Sequence, residues 1–231
     1  AAALPAEWRV SARRGWAGEN SSHFEPPAGA GYSEDREEDA MMLLPNVEYL
    51  NLGRQIARLL GSSLEGASSD ALRELALAYD PSANDARISA EVFLFHKFLL
   101  MQACVGVFPE SHVEHVVGGF FAALNEKMSG LELGSDRQQA MEQMWQLRAG
   151  QFEQPFSHDR AQFLEASPDA SHWKQTILRF CQNVREIANP PDIWVGANSP
   201  SQEASRTVTH ALNQMISTLN EMNRLHFPAS V

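Results

Sequence analysis

The sequence predicts an all-α protein: an irregular or orthogonal bundle of six or seven helices around one central hydrophobic helix, with an irregular N-terminal arm. Three observations point there. From Met41 onward apolar residues recur at spacings of three and four, and no run alternates residue by residue as a half-buried strand does. Between Ile88 and Phe108 they cover nearly every face of a helical wheel, whereas a surface helix confines them to one stripe. Prolines and short polar clusters then cut the chain into helix-length pieces, and short proline-punctuated connections suit an irregular bundle better than an up-and-down one.

Residues 1–40 stand apart as an arm, and 41–231 form the helical domain. The arm mixes glycines and prolines with the acidic run Glu34 to Asp39 and has neither a strand nor a helix period. Trp8, Trp16, Phe24 and Tyr32 recur within it, and disordered segments are usually poor in aromatics, so the arm is expected to dock on its own domain or on a partner.

The first helix starts near Met41, carries Tyr49, Leu50, Gly53, Ile56, Ala57 and Leu60 at helical spacing, and is expected to end at Gly61-Ser62-Ser63. A second, capped by Ser68 or Ser69, runs through Leu72, Leu75, Ala76 and Tyr79 to Asp80-Pro81. Asn84 or Asp85 caps the central helix, about 86–108, and Pro109 closes it. Glu91, His96, Lys97 and Gln102 interrupt its apolar run. A charge near a membrane midplane costs roughly 3 kcal/mol or more, so burial in protein is favoured over burial in lipid.

Residues 110–129 make the next helix, whose Gly118-Gly119 costs roughly 2 kcal/mol of propensity against alanine and asks for close approach of a neighbour. Ser135 and Gln138 fit a capping box opening a helix through Met141, Met144, Trp145 and Phe152, with Pro155 as its stop. No period is evident from Asp159 to Ala166. A further helix begins at Ser167-Pro168 or Ser171, presents Trp173, Ile177, Phe180, Cys181, Val184 and Ala188, and ends at Asn189-Pro190-Pro191. Ser199-Pro200 with Gln202 opens the last helix, 200–226, where Val208, Leu212, Met215, Leu219 and Met222 form a short seam of the coiled-coil kind.

A net charge of -11 argues against a nucleic-acid surface and against anionic membranes, since both need a basic face. Only three of the 18 basic residues are lysines, as a GC-rich bacterial genome would give. Cys104 and Cys181 sit in apolar helical patterns and read as buried free thiols, which fits a reducing, cytoplasmic setting.

Motifs for chemistry are sparse. The sequence has no GxGxxG, GxxxxGK[ST], GxSxG or HExxH pattern. His112 and His115, flanked by Glu110 and Glu114, share a helix face and are the candidate metal ligands, with His96 as a possible third. The plainer reading makes them the polar side of an amphipathic helix. His96-Lys97 in the most apolar helix either marks where that helix surfaces or requires partners on other helices. Met141, Met144, Met215 and Met222 with Trp145 fill the core or line an adaptable groove.

The leading expectation is therefore a non-enzymatic protein–protein interaction or adaptor domain without catalytic residues or cofactor, bound to another protein or a second copy of itself. Its partner-binding candidates are Met215, Leu219, Met222, Trp8 and Trp16. Two alternatives stand beside it: a helical-bundle enzyme or cofactor- or metal-binding protein using His96, His112 and His115, and a self-associating structural protein joined through helix 200–226.

Overall fold

The computed structural model describes residues 44–129, 135–165, 173–185 and 199–227, and among them it places seven helices and no strand. In chain order these are α1 (Asn46–Leu64), α2 (Ala67–Tyr79), α3 (Asp85–Val107), α4 (Glu110–Ser129), α5 (Ser135–Glu165), α6 (Lys174–Arg185) and α7 (Pro200–His226). Trp8, Trp16 and the rest of the arm lie outside the described residues.

The central helix is where periodicity puts it. The side chain of Asn84 accepts a hydrogen bond from Ala86 N–H at 2.8 Å, capping α3, and the helix ends before Phe108-Pro109. Every residue from Leu94 to Met101 is buried, a run of more than two turns that leaves no face for solvent. Accordingly α3 packs against all six other helices. It is also the one helix among the described residues long and apolar enough to cross a membrane, and most of it is enclosed by its neighbours.

Phe95 meets Phe152 and Phe180 edge-on at 5.3 and 5.5 Å, while Phe98 contacts Phe152 and Phe156 at 5.4 and 5.3 Å. These contacts explain why Pro155 does not stop its helix, contrary to expectation: α5 runs through it to Glu165. An interior proline costs about 3 kcal/mol. Truncating one buried phenylalanine costs about as much, and here Phe152 and Phe156 flank the proline on the core side. Helix therefore also replaces the aperiodic stretch expected after Asp159.

Other boundaries differ for local reasons. α1 does not end at Gly61 but continues to Leu64, with the Ser62 and Ser63 hydroxyls donating back to the carbonyls of Arg58 and Leu60 and so leaving the backbone helical. Pro45 is its N-cap. Ser68 and Ser69 are not caps: α2 begins at Ala67 behind Gly66, which puts both serines inside the first turn and buries them. Ser199 is the N-cap of α7, but its hydroxyl pairs with that of Ser201 at 2.9 Å and makes no capping bond. The start of α6 is held by Asp159 of α5, whose carboxylate accepts from Gln175 N–H at 3.1 Å, Thr176 N–H at 2.7 Å and the Thr176 hydroxyl at 2.7 Å. Asp169, His172, the side chain of Gln138 and the segment containing Trp194 lie outside the described residues.

The α7 seam is internal. Val208, Leu212, Met215 and Leu219 are buried, Met222 packs at its end, and α7 lies against α2 and α3.

α1 and α4 form the most extensive helix pair, and glycines make it possible. A Cβ on Gly53 would collide with the backbone of Gly119 and Phe120, and one on Gly119 with the Tyr49 carbonyl. Gly118 faces open space, so close approach accounts for only one of the two adjacent glycines. Gly53→Ala and Gly119→Ala should each cost about 3 kcal/mol or more, since backbone cannot yield as a side chain does. Gly118→Ala should gain up to about 1 kcal/mol of helix propensity. Urea unfolding of the three variants checks the contrast.

Candidate functional site

A helix buried on every face cannot leave polar side chains to water, so each interruption of α3 needs a partner from elsewhere. Gln102 is only partly buried, and for the three buried interruptions, Glu91, His96 and Lys97, the structure supplies partners from other helices.

Glu91 pairs with Arg148 of α5. Both are buried, and the guanidinium donates through Nε to both carboxylate oxygens at 2.9 and 3.0 Å and through its second nitrogen to Oε1 at 2.6 Å. Gln151 takes another guanidinium proton at 2.9 Å. This fork geometry suits a desolvated ion pair. Sequence reading missed it, although a signal existed: Arg148 lies three residues after Trp145 and four before Phe152, on the core face of α5.

Lys97 has an aromatic clamp. Its ammonium lies 4.1 Å from the Trp145 ring centre on α5 and 4.6 Å from that of Phe121 on α4. Burial pushes its pKa down to about 8, with the nearby Glu142 carboxylate pulling it back up. The partners that a buried lysine requires on other helices are thus two rings, with one carboxylate nearby.

His96 is completely buried and uses both ring nitrogens. Nδ1 lies 2.9 Å from the Val92 carbonyl and Nε2 lies 2.8 Å from the Ser68 hydroxyl of α2. A carbonyl only accepts, so Nδ1 carries the proton and Ser68 donates to Nε2. Burial holds the imidazole below its usual pKa and so keeps it neutral.

Ser68 also lines a cavity of about 280 Å³ between the end of α1, the start of α2 and the middle of α7. Leu59, Ala67, Ala211 and Met215 give it apolar walls, and Arg206 and His210 stand among the residues around it. Arg206 pairs with Glu203 at 3.2 Å on the exposed side of α7. A pocket of this size admits a small ligand only.

The two metal candidates occupy another place, where α1 and α4 begin and α7 ends. The Tyr49 hydroxyl lies within hydrogen-bonding distance of His112 Nδ1, at 2.7 Å, and accepts from Leu44 N–H at 3.3 Å. His115 stacks on the Tyr49 ring at 5.1 Å, and Phe227 contacts His112 at 4.4 Å. Burial and the neighbouring His115 hold His112 below the usual histidine pKa. Among the described residues no group of three or more His, Cys, Asp and Glu side chains is placed to hold a metal ion, and His96 does not join this pair. Met215 and Leu219 are covered by the chain's own helices.

A further surface belongs to α5. Every described side chain from Asp136 to Met144 is exposed, and Met141, Met144 and Leu147 remain 43, 44 and 55% accessible. Among the described side chains, Trp145 is the first of the helix to enter the core. With 31 residues α5 is about 46 Å long, more than the width of a small domain, so its first turns overhang.

Two measurements test the partnerships of α3. Arg148→Met should cost about 3–5 kcal/mol by stranding Glu91, and Glu91→Leu in the same chain should recover most of that loss. Lys97 binds fewer protons folded than unfolded between pH 8 and its ordinary 10.5, so stability gained from it rises with pH across that window. Lys97→Met removes a desolvation cost of about 3 kcal/mol and a cation–π attraction of about 1–2 kcal/mol. The variant should therefore be more stable at pH 7 by on the order of 1 kcal/mol, the advantage fading towards pH 10.5, as read from urea midpoints. No protein-family model matches the chain, and neither a curated protein nor a solved structure does.

Proposed function

We propose that this chain is a helical protein-interaction domain, an adaptor that receives an apolar helix of a partner protein along the first half of α5. The observation that carries the reading is the exposure of Met141, Met144 and Leu147 on a helix whose other half is locked into the core. Large apolar side chains that stay wet cost free energy, and methionine surfaces adapt to varied partner helices. The overhang also bears Asp136, Arg137 and Glu142, a polar rim of the kind that borders interaction patches.

Self-association through helix 200–226 finds its seam already occupied by α2 and α3, which favours a partner on α5 instead. A reducing compartment such as the cytoplasm suits the domain. Cys104 and Cys181 are free and buried, with burial pushing both thiols up to about 12, so neither is poised to oxidise.

A photo-crosslinking residue placed at Met144 in the full chain tests the proposal in cells. Adducts to another protein are expected, lost when Met141 and Leu147 are changed to Glu and absent when the crosslinker sits at Glu203 on α7. Crosslinks confined to the chain itself, its own arm included, would refute it.

A further inference from the structure

We propose that Ser68 and His96 are a nucleophile and general-base pair serving the cavity between α1, α2 and α7, and that its substrates are small esters with an apolar acyl group. The inference is independent of the α5 surface.

Serine acyl transfer needs a hydroxyl that donates to a neutral imidazole whose other nitrogen is fixed by a third group. The Val92 carbonyl fixes Nδ1–H at 2.9 Å, and the Ser68 hydroxyl donates to Nε2 at 2.8 Å. A core histidine that only needed satisfying could use any hydroxyl. This one borders an opening, since Ser68 is part of the cavity wall.

Location supplies the second requirement. Ser68 is in the first turn of α2, where the helix's leading N–H groups have no acceptor within their own helix. The cap is Gly66, which has no side chain to accept from them. The N–H groups of Ala67 and Ser68 are thus the donors for negative charge developing on a carbonyl oxygen attacked by Ser68. Leu59, Ala211 and Met215 face the space an acyl chain would fill, and about 280 Å³ limits that chain to a few carbons.

The reaction balances within these groups. The Ser68 oxygen bonds to the ester carbonyl carbon as its proton passes to His96 Nε2; the carbon–oxygen bond to the alcohol then breaks, and the alcohol leaves with that proton. Water, giving a proton to His96, attacks the acyl carbon, and collapse releases the carboxylic acid and returns the proton to Ser68. A carbonyl in the third position steadies an imidazolium less than a carboxylate does, so turnover should be slow. Covalent capture is the better readout.

The intact protein is treated with a short-chain alkyl fluorophosphonate, and its peptides are weighed. A single adduct on Ser68 is expected, forming at least about 100-fold faster than on Ser62 or Ser63, the scale on which a positioned base activates a hydroxyl. Butyrate p-nitrophenyl ester should slow it by competition. Ser68→Ala removes the hydroxyl and should abolish the adduct while leaving the helical circular dichroism unchanged. Ser68 that stays unmodified in the folded protein, or reacts no faster than Ser62 and Ser63, overturns the proposal and leaves the Ser68–His96 bond a packing feature.

Discussion

Complete enclosure of α3 is the constraint on which the other features depend. Where α3 has water on no side, from Leu94 to Met101, it gains from hydrophobic burial on every face, and each buried polar residue of the helix must be matched inside protein. The three matches come from three other helices: Arg148 of α5 for Glu91, Ser68 of α2 for His96, and Phe121 of α4 with Trp145 of α5 for Lys97. The interruptions thus act as addresses. Apolar packing alone would let the surrounding helices rotate or shift by a turn, whereas a displaced α5 strands two charges at once.

The same logic connects fold and function. Held by Arg148 and by Phe152 and Phe156, the second half of α5 is fixed so firmly that it tolerates Pro155, and from that fixed half the exposed first half extends beyond the core. Likewise the need to satisfy His96 draws the start of α2 against α3, which places a serine hydroxyl, uncapped helix N–H groups and an apolar cavity together. Chemistry at that corner is a by-product of core satisfaction that a ligand can exploit.

What could be read from the sequence followed the range of the forces involved. Local signals served well: Asn84 as a cap, Pro109 as a terminator, and Phe95 and Leu99 as core residues are each settled within a few neighbours along the chain. Pro155 misled because its local cost is outweighed by the contacts of Phe152 and Phe156 with Phe95 and Phe98, and Gly61 because a glycine in a helix costs only about 1 kcal/mol and does not by itself end it. The Glu91–Arg148 pair spans 57 positions and the Ser68–His96 pair 28, and no periodicity specifies such pairings. Their faces were nonetheless visible. Ser68 precedes Leu72 by four residues on the core side of α2, so the reading of Ser68 as a cap discarded a sign that a buried hydroxyl needed a partner.

Hydrogen exchange measured residue by residue on the native protein tests the enclosure most directly. The account predicts the slowest amides in the chain between Phe95 and Cys104, opening only with global unfolding, while those of α5 before Met144 exchange by local fraying. If the α3 amides exchange as readily as the overhang does, that helix is not the enclosed centre of the fold.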